Sequence, residues 1–125
     1  MDKRNTIELI DHILFSIELI EERVKSINTS DDFLKNSNGL EKLDAISMRL
    51  QSIGEAIKNI FKTDKQVLLT NSEKEYWSKI IRLREVISHH YIDIDSEIIF
   101  NICNEDLIEL KEKLIKIKEK KNANK

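Results

Sequence analysis

The sequence contains no proline, only two glycines and one cysteine among its 125 residues, and 6% of its residues are aromatic. The chain is therefore poor in the residues that break helices and form tight turns. A single cysteine, Cys103, excludes an intrachain disulfide, and we expect it to be a buried, inert thiol. The scarcity of glycine also argues against a glycine-rich phosphate-binding loop.

Long apolar runs and a strong net charge are missing as well. The longest unbroken apolar runs are three residues, so no segment is predicted to span a bilayer. The N-terminal residues mix acidic with apolar side chains and do not resemble a secretory signal. A net charge of −2 argues against a chain that coats nucleic acid through bulk positive charge. We therefore expect a cytoplasmic protein with no membrane partner.

The residues that are present predict helices. The chain is 40% hydrophobic and 35% charged, and its isoleucines and leucines recur at steps of three and four. The fold class expected is all-α, an up-and-down bundle of four to five helices forming one domain over residues 1–125. Seven lysines against two glutamates in residues 111–125 predict a flexible, frayed tail from about residue 118. The alternative is a phosphate-attracting arm beside a site.

A second long helix is predicted to start near Leu40, which heads its apolar stripe. Gly54 falls in the middle of this helix, where it costs about 1 kcal/mol relative to alanine. That cost suggests a close approach of another helix at Gly54-Glu55-Ala56, either within the bundle or at a partner.

Capping patterns divide the second half of the chain. Ser72 and Glu75 have the spacing of a capping box, which predicts the start of a third long helix. Asp95 or Ser96 is expected to cap a short helix, and Asn104 to cap the last one.

Polar groups able to handle a phosphodiester cluster near the end of the third helix, which we predict to continue through Tyr91. Arg84, Ser88 and Tyr91 would share one face, because offsets of four and seven residues return to the same side of a helix. Glu85 and His89 are also four residues apart. The Glu85 carboxylate can therefore accept a hydrogen bond from the imidazole and favour its cationic form.

These residue types suit RNA cleavage without a metal. His89 would deprotonate a ribose 2′-hydroxyl or protonate the leaving oxygen. Arg84 would clamp the non-bridging oxygens and stabilise the transition state. The product would be a 2′,3′-cyclic phosphate. Because Arg84 and His89 lie about 140° apart around a regular helix, both reach one phosphate only if the helix ends nearby or a second chain shares the site.

The same residues also have a purely structural interpretation. His89 and His90 would be favoured at a helix C-terminus by the macrodipole alone. Arg84 could pair with an acidic neighbour, and Tyr91 could be a core aromatic with its hydroxyl in water. The histidines and the cysteine show no metal-ligand spacing, and no serine–histidine–acid triad can be identified, so no metal or cofactor is expected.

Three segments together resemble a known family. R-E-V-I-S-H-H-Y-I-D-I-D at 84–95 resembles the R-x-x-x-x-H-x-Y signature of the HepT-like branch of the HEPN superfamily of ribonucleases. R-L-Q-S-I-G-E-A-I-K-N-I at 49–60 resembles the second helix of that branch. Trp77 stands where its members place a tryptophan, and the similarity covers roughly residues 6–115.

The resemblance implies a helical bundle that dimerises through the motif helix, with Arg84 and His89 catalytic. From their positions on the helix, we expect Ser88, Glu85 and His90 to support them. It further implies a toxin–antitoxin module whose toxin acts on RNA, with neither DNA nor a membrane as partner. Tyr91 would be the tyrosine that a minimal nucleotidyltransferase antitoxin of the MNT type modifies with AMP.

One residue departs from the pattern of the family. Many members have asparagine directly after the arginine, where this chain has Glu85. That carboxylate would either weaken cleavage or serve the pairing with His89. A non-catalytic helical module that holds a nucleotidyltransferase or a nucleotide is therefore the alternative hypothesis.

Overall fold

In a computed structural model, the chain is described over residues 3–85 and 95–123, which form helices and the turns that join them. The α-helices are α1 (Lys3–Val24), α2 (Ser37–Thr63), α3 (Lys65–Leu69), α4 (Lys74–Ile81), α5 (Ser96–Asn101) and α6 (Leu107–Ala123). The remaining helical turns within the described ranges are two 3₁₀ turns, Ser30–Phe33 and Arg82–Glu85, and one π-helical turn, Ile102–Asp106. Because the π-helical turn joins α5 to α6 without a break, the described residues form five helical rods. The predicted all-α bundle is confirmed.

The two longest helices, α1 and α2, lie antiparallel and supply much of the core. Contacts between them run in opposite chain directions, since His12 lies against Ser52 and Ser16 against Arg49. The periodic apolar side chains bury one face of each helix, as predicted. The buried members are Ile10, Ile13, Ile17 and Ile20 of α1 and Leu43, Ile46, Leu50, Ile53, Ala56, Ile57 and Ile60 of α2.

The helix α2 begins three residues before the predicted start. Asn36 caps it, because its side-chain oxygen accepts a hydrogen bond from the Gly39 N–H at 2.8 Å. Leu40 therefore lies in the first turn and is 45% exposed. Its prediction as the head of the core stripe is wrong.

Trp77 anchors α4 in the core. Its side chain is fully buried, and its indole N–H donates to the carbonyl of Leu68 in α3 at 2.8 Å. The Tyr76 ring meets the indole edge-on, with 5.0 Å between the ring centroids. A buried indole with its donor satisfied fixes α4 against α3, and so fixes the position of the turn that follows α4.

The predicted capping box of α4 is wrong. Glu73, not Ser72, precedes the helix. The Ser72 hydroxyl instead accepts a hydrogen bond from Lys113 Nζ at 2.7 Å. The side chain that looked like a local cap is thus used in a contact with α6.

Of the two capping predictions for the last two helices, one is confirmed and the other is wrong. Asp95 caps α5 as predicted, because its carboxylate accepts two backbone N–H groups of the first turn at 2.9 and 3.2 Å. Asn104 does not cap α6. Its side-chain amide donates to the carbonyl of Phe100 at 2.8 Å inside the continuous helical run.

The lysine-rich end is helical as far as the structure describes it. Residues beyond 118, where we expected a flexible tail, continue α6 to Ala123. Lys118 pairs with Asp11 of α1, and Lys121 Nζ lies 3.1 Å from Asp64 Oδ2 at the end of α2. In the described range, none of the helices is long and apolar enough to cross a membrane.

Trp77 and Tyr76 give a matched pair of stability predictions. Trp77→Phe removes buried volume and a satisfied hydrogen bond, so we expect the free energy of unfolding to fall by about 2 kcal/mol. The Tyr76 hydroxyl is buried without a hydrogen-bond partner among the described residues, and burial, with Glu109 and Asp106 nearby, raises the pKa of its phenol. Tyr76→Phe is therefore expected to raise the free energy of unfolding by about 1 kcal/mol. Urea unfolding of both variants measures these changes in the free energy of unfolding. A loss of stability in Tyr76→Phe would contradict the prediction that its buried hydroxyl is destabilising.

Candidate active site

The regular helix that carries the motif ends earlier than predicted. The α-helix α4 stops at Ile81, and the chain tightens into the 3₁₀ turn Arg82–Glu85. The predicted continuous helix through Tyr91 is therefore wrong at residues 82–85, where Arg84 lies on a tighter turn.

Gly54 of α2 determines how closely this turn can approach. A methyl group at Gly54 would lie 2.6 Å from the backbone nitrogen of Arg84 and 2.8 Å from the carbonyl oxygen of Ile81. Both distances are shorter than van der Waals contact, so only glycine fits here. Of the two approaches we considered, the one observed is within the bundle.

Glu55, the next residue of α2, holds the motif arginine. The Arg84 Nε–H donates to Glu55 Oε2 at 2.9 Å. This contact uses one of the five guanidinium N–H groups, so the four on the terminal nitrogens are not used in it. The ion pair that we considered as the structural role of Arg84 is thus present.

The Arg84–Glu55 ion pair is half-exposed, which limits its contribution to the stability of the fold. The Arg84 side chain is 34% exposed and the Glu55 side chain 50%. At such exposure, solvent screening limits an ion pair to about 1 kcal/mol of stability. The contact therefore acts mainly by restraining the direction of the guanidinium, which can still be reached from solvent.

Most of the other predicted site residues lie outside the described residues. These are Ser88, His89, His90 and Tyr91. Their predicted helical face, and the pairing of His89 with Glu85, therefore stay predictions. Glu85 itself is exposed at the end of the 3₁₀ turn.

Glu55 is a site residue whose role the sequence reasoning missed. Glu55 contributes a carboxylate that accepts a hydrogen bond from the Arg84 guanidinium, whereas the sequence had pointed to Glu85 as the acidic residue of the site. A signal was present in the Q-S-I-G-E segment, where the helix-weakening Gly54 directly precedes the carboxylate. A segment that packs closely against Gly54 also comes within reach of the next side chain, that of Glu55.

The described residues contain neither a cluster of metal ligands nor a reactive thiol. Over residues 3–85 and 95–123, no group of three or more His, Cys, Asp or Glu side chains could hold a metal ion. Cys103 is buried as predicted, and burial raises the pKa of its thiol to about 12. The thiol therefore stays protonated at neutral pH and is a poor nucleophile.

The fold and site together define a class: a helical bundle that presents a restrained, solvent-accessible arginine at the end of a short helix. The chain belongs to the HepT-like ribonuclease family of the HEPN superfamily, because the family model described as Ribonuclease HepT-like matches residues 13–117. The resemblance stated from the sequence motifs is confirmed.

Three relatives show how much of the chain is shared. A protein of Methanocaldococcus jannaschii named "Gamma-glutamylcyclotransferase and putative RNase" is 35% identical over 93% of this chain, which spans 49% of that relative. A "Probable ribonuclease HepT" of Thermococcus cleftensis is 30% identical, with 93% of this chain and 98% of the relative covered. A "Putative RNase" of Caldanaerobacter subterraneus subsp. tengcongensis is 30% identical, with 89% and 92% covered. The chain thus spans about half of the first relative and nearly all of the other two. No solved structure matches it.

Proposed function

We propose that the protein is a metal-independent endoribonuclease whose catalytic groups are Arg84 and His89. The observation that carries the proposal is the half-exposed Arg84 guanidinium, held through Nε by Glu55, in a chain of a ribonuclease family. A guanidinium restrained on one edge keeps its remaining donors for a phosphate and needs little reorganisation when substrate binds.

The proposed reaction is an internal transfer within the RNA. His89 accepts the proton of the ribose 2′-hydroxyl, and the 2′-oxygen attacks the adjacent phosphorus. The bond from phosphorus to the 5′-oxygen of the next nucleotide breaks, and that oxygen takes up a proton. Arg84 binds the non-bridging oxygens as negative charge builds on them. The products are a 2′,3′-cyclic phosphate end and a 5′-hydroxyl end.

We further propose that the nuclease is the toxin of a toxin–antitoxin pair and works in the cytoplasm as a homodimer. The second protomer would bring its own motif to a shared cleft. A nucleotidyltransferase antitoxin of the MNT type would transfer AMP to the Tyr91 hydroxyl, releasing pyrophosphate from ATP. The added bulk and negative charge would then keep RNA away from Arg84.

A second candidate function is a non-catalytic module that binds a nucleotidyltransferase or a nucleotide. The Arg84–Glu55 contact also supports this second function, because an arginine paired with a carboxylate can have a purely structural role.

The test begins with purified protein incubated with RNA in the presence of EDTA. We expect wild-type protein to produce fragments ending in 2′,3′-cyclic phosphate, and His89→Ala to produce none. Protein co-produced with the nucleotidyltransferase should gain mass in AMP units, and Tyr91→Phe should not. If wild-type protein leaves every RNA intact yet still binds the nucleotidyltransferase tightly, the nuclease proposal is wrong and the binding module is favoured.

A further inference from the structure

A recessed site lies between α1 and α2, and Arg84 is not among the residues that line it. It is a pocket of about 340 Å³ lined by Arg23, Ala45, Met48, Arg49 and Ser52. All five lining residues are described by the structure, and they comprise two cations and three neutral side chains. A pocket of this lining attracts an anion.

The two arginines of the pocket have unused hydrogen-bonding capacity. Arg23 Nη1 is buried and has no hydrogen-bond partner among the described residues. Arg49 makes one long hydrogen bond, from Nη1 to Ser16 Oγ at 3.4 Å. A buried guanidinium nitrogen without an acceptor is unfavourable, and an incoming oxyanion would satisfy it.

Apolar side chains stand beside these cations. Phe15 of α1 is 52% exposed, and Met48 of α2 is 66% exposed. The Arg49 guanidinium lies over the Phe15 ring, 5.9 Å from its centroid. An exposed aromatic ring next to a guanidinium group is a combination that binds single-stranded nucleic acids, with a base stacking on the ring and a phosphate contacting the cation.

The pocket and the candidate active site share one face of α2. Met48, Ser52 and Glu55 follow each other at offsets of four and three, so they lie along the same side of the helix. Glu55 is the residue that holds Arg84. Arg49 is six residues before Glu55, a separation of about 9 Å along the helix axis. A strand of RNA leaving Arg84 along this face reaches the pocket within a few nucleotides.

We propose that this pocket binds the single-stranded RNA that flanks the cleaved bond, with Arg23 and Arg49 holding a phosphate and Phe15 stacking on a base. The inference rests on the proposed function for its substrate and adds a subsite that lies away from the cleaved bond. Its role is to hold and orient the chain of the RNA.

A second copy of this chain is the competing occupant, and the charges disfavour it. A protein partner would have to bury both arginines and supply carboxylates to them, since unpaired buried charge is costly. RNA brings a phosphate with every nucleotide and needs no such match. The observed lining therefore favours the polyanion.

The test measures binding of a short single-stranded RNA with 2′-O-methyl riboses, which cannot be cleaved, so it does not depend on catalysis. Met48→Glu places a carboxylate at the exposed edge of the pocket, where it can neutralise an arginine. Met48→Gln has the same length and no charge. We expect Met48→Glu to bind about tenfold more weakly than Met48→Gln, as for the loss of one charged hydrogen bond. The slope of log affinity against log salt should also fall by about 1.

A matched control separates this effect from net charge. Lys62→Gln lowers the net charge by the same single unit at an exposed position of α2 outside the pocket, and it should bind RNA like wild type. Equal RNA affinity of Met48→Glu and Met48→Gln would overturn the subsite, whether or not the wild-type protein cleaves RNA. If both Met48 variants instead lower the oligomeric state in sedimentation velocity while RNA affinity is kept, the pocket face binds a second copy and the proposal is wrong.

Discussion

Arg84→Gln is expected to cleave RNA about 10²- to 10³-fold more slowly than wild type, with little change in stability. Glutamine can still hydrogen-bond Glu55, but it has no charge to offset the negative charge that builds on the phosphate. Because the Arg84–Glu55 pair is half-exposed, its loss changes the free energy of unfolding by no more than about 1 kcal/mol. Single-turnover cleavage with saturating enzyme measures the chemical step.

Two further variants make this result specific. Arg84→Lys keeps the charge but loses the planar fork, so its rate should fall between those of Arg84→Gln and wild type. Arg82→Gln makes the same substitution two positions earlier, at an exposed arginine of the same 3₁₀ turn, and should cleave at the wild-type rate. Equal losses in Arg82→Gln and Arg84→Gln would point to bulk charge and would refute a catalytic role for Arg84.

Gly54→Ala is expected to lower the free energy of unfolding by about 3 kcal/mol, the upper end for overpacking a core. In an ordinary mid-helix position the same change stabilises by about 1 kcal/mol. The sign reverses here because the new methyl group meets backbone atoms of Arg84 and Ile81 at 2.6 and 2.8 Å, and backbone cannot rotate away. The 3₁₀ turn must move off α2, so RNA cleavage should be lost as well. Urea unfolding measures the first effect and RNA cleavage the second.

Asn59→Ala is the control for helix propensity, because Asn59 is exposed on the same helix. It should stabilise α2 slightly and leave cleavage unchanged. A Gly54→Ala protein as stable and as active as Asn59→Ala would show that the turn can retreat without consequence for the site.

The fold could be predicted from the sequence wherever a feature depends on the residues of one helix alone. Apolar side chains that recur at helical steps bury one face of α1 and one face of α6; the buried residues of α6 are Leu107, Leu110, Leu114 and Ile117. Asp95 caps α5 because the capping contact is local.

The prediction for Ser72 failed because a distant element competes for a local group, whereas the prediction for Asn104 failed within its own helical run. The Ser72 hydroxyl was available to cap α4, but Lys113 of α6 donates to it instead. Asn104 was predicted to cap the start of the last helix, but the π-helical turn Ile102–Asp106 runs through it and continues α5 into α6. The contact of Ser72 with Lys113 leaves no trace in the local sequence, because it depends on which helices are neighbours.

In the candidate site, too, features of one segment could be predicted, but the contact between two segments could not. Arg84 was identified from the residues near it, and the close approach at Gly54 from its cost to the helix. That these two observations describe one contact could not be predicted, since periodicity gives the faces of helices but not their partners.

The contact between Glu55 and Arg84 joins residues 29 positions apart. A nascent or partly unfolded copy carries the same reactive groups, but nothing yet sets the spacing between them. Under the proposed function, cleavage of RNA is therefore coupled to completed folding, so a chain still emerging from the ribosome would leave the transcript that encodes it intact.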